Sequence, residues 1–260
     1  MLRAESLSLK QPGRSLVDGL TVEFRRGERW AILGVNGAGK STLLHALAGL
    51  TAPSGGLVRL GGVPVEGQPR KRLARELGVL LQEEAREYWG SVHDFVMLGR
   101  YARTRSLFGP TDADREIALR ALDALDLRAL SGRAYRSLSG GERQRARLAA
   151  LLAQEPAVFL LDEPLQHLDL AHQVALLERL SEEAANGALI VLVLHDLLFA
   201  SRYCDHALLL YGDGRHAHGS AQEILQPRLL GELYRFPLQA YRLGEENVLL
   251  PARVHGSPRV

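Results

Sequence analysis

The sequence predicts an α/β fold built on a parallel sheet. Three observations lead there. In the second half of the chain, apolar runs alternate with helical patterns: strand 158–161, helix 170–184, strand 189–194, helix 197–202. Nearer the start, the apolar run Trp30-Ala31-Ile32-Leu33 leads into a glycine-rich loop and then a helical stretch. The 260 residues are 46% hydrophobic and 24% charged, ordinary for a globular chain long enough to bury a substantial core.

Taken in order, residues 2–32 read as strands, because Leu7 and Leu9, then Leu20, Val22 and Phe24, alternate with polar neighbours. Arg25-Arg26-Gly27-Glu28 is a turn. Helix 41–50 follows the glycine-rich loop and closes at Gly49. Gly55-Gly56 and Gly61-Gly62 bracket a short strand at 57–60, and another at 78–81 ends at Gln82. From Glu83 to Arg136 apolar residues fall at helical spacing around Val92, Phe95 and Val96 and again over 117–130, with a break at Gly109-Pro110. This stretch reads as a mostly helical insert, about 83–137. Helix resumes after Ser139, through Arg143 to Ala153, and 207–210 is the last strand expected. Residues 1–230 form one domain on this reading, and 231–260 a weakly patterned tail.

A net charge of +2 gives no field that calls for nucleic acid or an anionic membrane. The single cysteine, Cys204, excludes an internal disulfide, fits a reducing compartment, and sits among apolar neighbours as a packing residue. The N-terminus does not read as a signal peptide, and the longest apolar run, 188–194, is too short to span a bilayer. Service to a membrane would come from its surface, through a partner. His216 and His218 read as surface residues of a Gly-rich turn rather than metal ligands.

Gly34-Val35-Asn36-Gly37-Ala38-Gly39-Lys40-Ser41, followed by Thr42, fits the phosphate-loop pattern between a strand and a helix. Its glycines let backbone N–H groups turn inward, and the helix N-terminus adds partial positive charge. Lys40, one of only three lysines, is a compact ammonium suited to the β- and γ-phosphates of ATP, and Ser41 is suited to Mg²⁺. Further on, the run 158–161 ends in Asp162-Glu163. At a strand's carboxyl end, Asp162 can hold Mg²⁺ through water and Glu163 can polarise an attacking water.

Between these motifs lies Leu138-Ser139-Gly140-Gly141-Glu142, continuing Arg143-Gln144-Arg145. With it the chain resembles the ATP-binding subunits of ABC transporters over nearly its whole length. Gln82 matches that family's Q-loop, Gln166-His167-Leu168-Asp169 its D-loop, and His195 its switch histidine. The resemblance implies a P-loop NTPase (RecA-like) core with an N-terminal antiparallel β subdomain and an inserted α-helical subdomain. It implies ATP and Mg²⁺ as cofactors, with Gln82 sensing the γ-phosphate and the metal, and His195 bonding the γ-phosphate. It also implies a homodimer in which Ser139, Gly140, Gly141 and Glu142 complete the ATP site of the second copy. That accounts for the lack of any candidate arginine finger. Further implied partners are transmembrane permease subunits and, indirectly, a substrate-binding protein, with the chain peripheral on the cytoplasmic face of the inner membrane.

Two positions depart from the family pattern. No aromatic precedes Phe24, so the place of the usual adenine-stacking ring falls near Gln11. The D-loop carries Leu165-Gln166 where small hydroxyl or amide residues are common. Graded similarities, at Met97-Leu98-Gly99-Arg100-Tyr101 and from His195-Asp196-Leu197 to Asp205, resemble importers of iron-siderophore, haem and cobalamin type. Tyr88 and Trp89 are equally readable as permease anchors or as packing within the insert. Arg143, Arg145 and Arg147 read as a solvated charge run. Competing functions are a soluble ABC ATPase of iron–sulfur cluster assembly, an importer of another substrate class, and a non-catalytic nucleotide-gated scaffold.

Overall fold

A computed structural model describes residues 1–82, 88–104, 109–243 and 246–252. The elements run β1 (Leu2–Gln11), β2 (Arg14–Phe24), β3 (Arg29–Gly34), α1 (Lys40–Leu47), β4 (Gly55–Leu60), β5 (Val63–Pro64), α2 (Arg70–Glu76) and β6 (Leu77–Leu80). Then come α3 (Val92–Met97), α4 (Asp112–Asp123), α5 (Gly140–Gln154), β7 (Val158–Asp162), α6 (Leu170–Ala185), β8 (Leu189–Val193) and α7 (Leu197–Tyr203). The chain closes with β9 (His206–Leu210), β10 (His216–Ser220), α8 (Ala221–Ile224), α9 (Pro227–Tyr234), β11 (Leu238–Leu243) and β12 (Glu246–Pro251).

The main sheet has the order β10-β9-β3-β8-β7-β6, and β10 alone runs antiparallel to its neighbour. A second, antiparallel sheet has the order β2-β1-β4-β5. The parallel strands are apolar except at their ends (Arg29, Asp162 and His206), because both faces are covered. Their alternation still sorts each strand between two cores. Trp30, Ile32, Leu160, Val191 and Val193 join α1 and the antiparallel sheet in one cluster. Ala31, Leu33, Phe159, Leu161, Ile190 and Leu192 join α5, α6 and the insert in the other. The expected α/β core, antiparallel β subdomain and helical insert are all present.

The insert is held by designed helix starts. Ser91 with Asp94 and Thr111 with Asp114 form reciprocal capping boxes at α3 and α4. Arg100 is buried against Asp114 at 3.0 Å, and its other donors reach the Ala153 carbonyl and Glu155.

The end of the chain differs from its sequence reading. Residues 216–220 are not a turn: β10 adds to the sheet edge in register with β9, from His216↔Leu210 to Ser220↔His206. His-Ala-His-Gly-Ser has no apolar alternation, so pattern could not announce it; backbone pairing alone makes the strand. The boundary drawn at 230 lies inside α9, which buries Leu230 and Leu233 in the main core. The β11–β12 hairpin then packs beside α7 and α9.

Candidate functional site

Four parallel strands end on one edge of the main sheet, the side where open α/β sheets place ligands. The edge brings together the loop after β3, Gln82 after β6, Asp162 and Glu163 at the end of β7, and His195 after β8. They surround an open cavity of about 510 Å³, lined by Gln11, Asn36, Gly37, Gly39, Lys40, Ser41, Thr42, Gln82, Glu163, Gln166 and His195. Gly34, Ala38 and Asp162 lie behind that lining.

The loop can take its shape only with glycine at particular points. Gly37 and Gly39 have φ of +74° and +101°. A Cβ at Gly39 would come within 2.9 Å of the Leu16 side chain, and one at Gly34 within 2.7 Å of the Leu210 carbonyl. The loop is therefore pressed between β2 and β9, and its turn is closed by the Ala38 N–H donating to the Val35 carbonyl at 3.1 Å. Lys40 is buried, and its ammonium donates to the carbonyls of Gly34 at 2.8 Å and Val35 at 3.2 Å. Burial lowers its pKa, against the opposing pull of Glu163 and Asp162.

Asp162 is 1% exposed, and neither carboxylate oxygen completes a hydrogen bond. Burial raises its pKa, the Ser41 hydroxyl opposes that rise, and Glu163 adds to it. A buried acid left unpartnered beside a hydroxyl is an unsatisfied arrangement that a hard cation relieves. The oxygen donors of Ser41, Asp162 and Gln82 fit Mg²⁺, which is held by few protein ligands and completed by phosphate and water.

Glu163 takes a left-handed backbone, φ +50°. Its carboxylate is held from two sides: His195 Nε2 lies 2.8 Å from Oε1, and the Gln166 side-chain amide donates to Oε2. The D-loop departure noted in the sequence thus reaches directly into the site.

The signature lies outside this cavity. Ser139 caps α5, its Oγ accepting from the Glu142 N–H at 3.3 Å while the Glu142 carboxylate accepts from the Ser139 N–H at 2.6 Å. The latter bond holds Glu142 below the usual carboxylate range. Glu142 is thus occupied by its own helix, and the Gly140 and Gly141 N–H groups head that helix. Gly141 must be glycine: a Cβ there would lie 2.8 Å from the His167 carbonyl. Asp169 caps α6, accepting from the His172 N–H at 3.0 Å, and stands apart from the cavity lining.

Several surface readings resolve. Tyr88 packs edge-on against Phe95 and Tyr135, whereas Trp89 is 79% exposed with Arg136 over its ring. The remainder of the segment after Gln82, residues 83–87, lies outside the described residues. Arg143, Arg145 and Arg147 are not a solvated run. Arg143 donates to the Leu138 carbonyl, Arg145 to that of Leu125, and Arg147 to that of Leu81 and to Gln144. Charge spacing shows a shared helix face for Arg143 and Arg147 only, and the carbonyls met by Arg145 and Arg147 come from segments distant in sequence. Gln11 does line the cavity, and neighbouring Arg14 is anchored on the Gly212 carbonyl at 2.6 Å beside the phosphate loop.

A family model described as ABC transporter matches residues 17–166. The hemin import ATP-binding protein HmuV of Pseudomonas aeruginosa is 41% identical over 252 residues, covering 95% of this chain and 97% of the relative. The ferric enterobactin transport ATP-binding protein FepC of Escherichia coli K12 is 38% identical, covering 90% and 86%. A solved metal-chelate type ABC transporter in an inward-facing conformation has a chain that superposes with a TM-score of 0.82. It is 29% identical and covers 97% of each chain.

Proposed function

This chain belongs to the ABC transporter family, and from that premise we propose that it is the ATP-hydrolysing subunit of a metal-chelate importer. The cargo class would be cobalamin, a ferric siderophore or haem, moved through a membrane permease. The observation that carries the reading is the convergence of Lys40, Gln82, Glu163 and His195 on one cavity beside the unpartnered carboxylate of Asp162. The import names of its relatives favour this over a soluble cluster-assembly ATPase.

The phosphate-loop N–H groups of 34–42 and the Lys40 ammonium bind the triphosphate; Lys40 exchanges its two loop carbonyls for phosphate oxygens. Ser41, Asp162 and Gln82 would hold the metal. Mg²⁺, when bound, draws off the charge that builds on the phosphate oxygens. Glu163 accepts the proton of the attacking water, and His195 leaves Glu163 to bond the γ-phosphate. Ser139 and the Gly141 N–H, which lie outside the lining of their own cavity, serve the γ-phosphate of a second copy, so that two ATP molecules lie between two chains. No helix among the described residues is long and apolar enough to cross a membrane. As in an importer of this family, the chain would work peripherally, on the cytoplasmic face, from beneath a permease that a substrate-binding protein loads.

Reconstitution with the cognate permease in sealed vesicles tests this. ATP should drive uptake of cobalamin or of a ferric chelate, and Glu163→Gln should stop it. ATP turnover with no uptake of any of the three chelate types would sink the cargo assignment.

A further inference from the structure

Beyond the last ladder pair, Leu80↔Leu161, strands β6 and β7 part company. The carbonyls of Leu81 and Pro164, just past that pair, have no strand partner there. Backbone acceptors in such a place need donors from elsewhere. Both donors come from one turn of α5. The Arg147 guanidinium donates to the Leu81 carbonyl and, through Nη1, to Gln144 Oε1 at 2.9 Å. Gln144, 3% exposed, donates its own amide to the Pro164 carbonyl at 3.0 Å. Leu81 immediately precedes Gln82, and Pro164 immediately follows Glu163. On the N-terminal side of the same helix, Gly141 abuts the His167 carbonyl, and Gln173 of α6 holds the carbonyls of Leu165 and Leu168 at 3.2 and 3.1 Å.

We propose that Gln144 and Arg147 are positioning residues that tie the signature end of α5 to the strand ends carrying Gln82 and Glu163. The placement of the half-site that a chain offers to a second copy is thereby coupled to that of the half that it keeps. This rests on the two-copy ATP sandwich proposed above. A guanidinium is suited to the post because its planar fork reaches two acceptors at once. An ammonium on a flexible stem keeps the charge without the fork.

The test uses the purified full-length chain, with ATP turnover measured across ATP concentrations beside direct ATP binding. Gln144→Leu and Arg147→Met should each lower kcat about tenfold and bring the Hill coefficient toward one. The Kd for ATP should stay within about twofold, since neither side chain lines the cavity. The double variant should be no slower than the single ones, because both break one link. Arg147→Lys should recover part of kcat. Should a truncating variant fold poorly, Arg147→Lys and Gln144→Glu retain polarity and volume, and each should still lose kcat at constant Kd. Losses of kcat that multiply in the double variant, or that run parallel to a weakened Kd, would overturn the link. A separate control addresses the sandwich itself: adding a Ser139→Arg chain should poison the parent in mixed dimers. Unaltered activity in the mixture would remove the sandwich, and this inference with it, for a reason distinct from failure of the link.

Discussion

The catalytic edge and the helical insert both bury charge, but they treat it in opposite ways. In the insert, Arg100 and Asp114 satisfy one another, and the remaining donors of Arg100 find Ala153 and Glu155. Capping by Thr111, joined by Arg100, holds the Asp114 carboxyl below the usual range. At the catalytic edge, Asp162 is more deeply buried and neither of its oxygens completes a hydrogen bond, with its pKa raised by burial. The far end of the main sheet repeats the insert's habit. There a cavity of about 520 Å³ is lined by Ala124, Glu155 and Asn186, the C-caps of α4, α5 and α6, together with four arginines. Arg103 already serves the carbonyls of Gln154 and Glu155. Charge that meets protein partners maintains the fold; charge left unmet is reserved for a ligand.

This contrast can be broken, most forcibly at Glu163. Glu163→Gln should cut ATP turnover about a thousandfold while ATP still binds, as read by steady-state hydrolysis and a binding titration. Parent-like turnover would remove Glu163 as the base. In the insert, Arg100→Met strands a buried carboxylate and should cost about 3 kcal/mol or more in urea unfolding. Lys40→Ala should weaken ATP binding by about 2–3 kcal/mol, roughly 30- to 150-fold, in the same titration, because the charged donor is lost while the loop remains. Asp162→Asn should do what no insert substitution does, and stabilise the nucleotide-free chain by about 1 kcal/mol, roughly 2–4 °C in Tm, while abolishing Mg²⁺-dependent turnover.

The two aspartates should also differ in the sign of their pH dependence. Asp162, with its raised folded pKa, keeps its proton to higher pH than the unfolded chain does. Its share of stability therefore falls as pH climbs from the ordinary carboxylate value through the folded one. Asp114, with its depressed value, contributes stability that is present above the ordinary carboxylate value and lost as pH falls through the folded one. Unfolding free energies of Asp162→Asn and Asp114→Asn against the parent, followed across acidic pH, should show slopes of opposite sign. The smallest effect is expected at Cys204, buried and pushed up to about 12. Native protein at pH 8 should not react with iodoacetamide, and rapid alkylation would contradict its burial.

Much of the catalytic edge was legible because its chemistry needs residues close in sequence. A phosphate loop must be contiguous, since its donors are successive backbone N–H groups. Asp162-Glu163 stands out because an apolar strand must end where acid begins. The arginines of α5 were misread for the opposite reason: Arg145 and Arg147 meet the carbonyls of Leu125 and Leu81, far from them in sequence, while Arg143 folds back on Leu138 just before its own helix. Strand β10 was missed because an edge strand is made by pairing, and its composition carries no period. Tyr88 and Trp89, adjacent and both aromatic, could be separated only by finding Phe95 and Tyr135 around one of them.

The sequence by itself determined the alternating strands and helices of the parallel core, the phosphate loop, and the acid, glutamine and histidine that follow successive strands. These depend on local propensity and on contiguous backbone. Tertiary structure alone decided that Asp162 is left without a partner, that Gln166 and His195 share Glu163, and that Gln144 and Arg147 join two strand ends. Hydrogen-bond satisfaction is a property of three-dimensional neighbours, and residues 20 to 66 positions apart meet only when the sheet and α5 have packed.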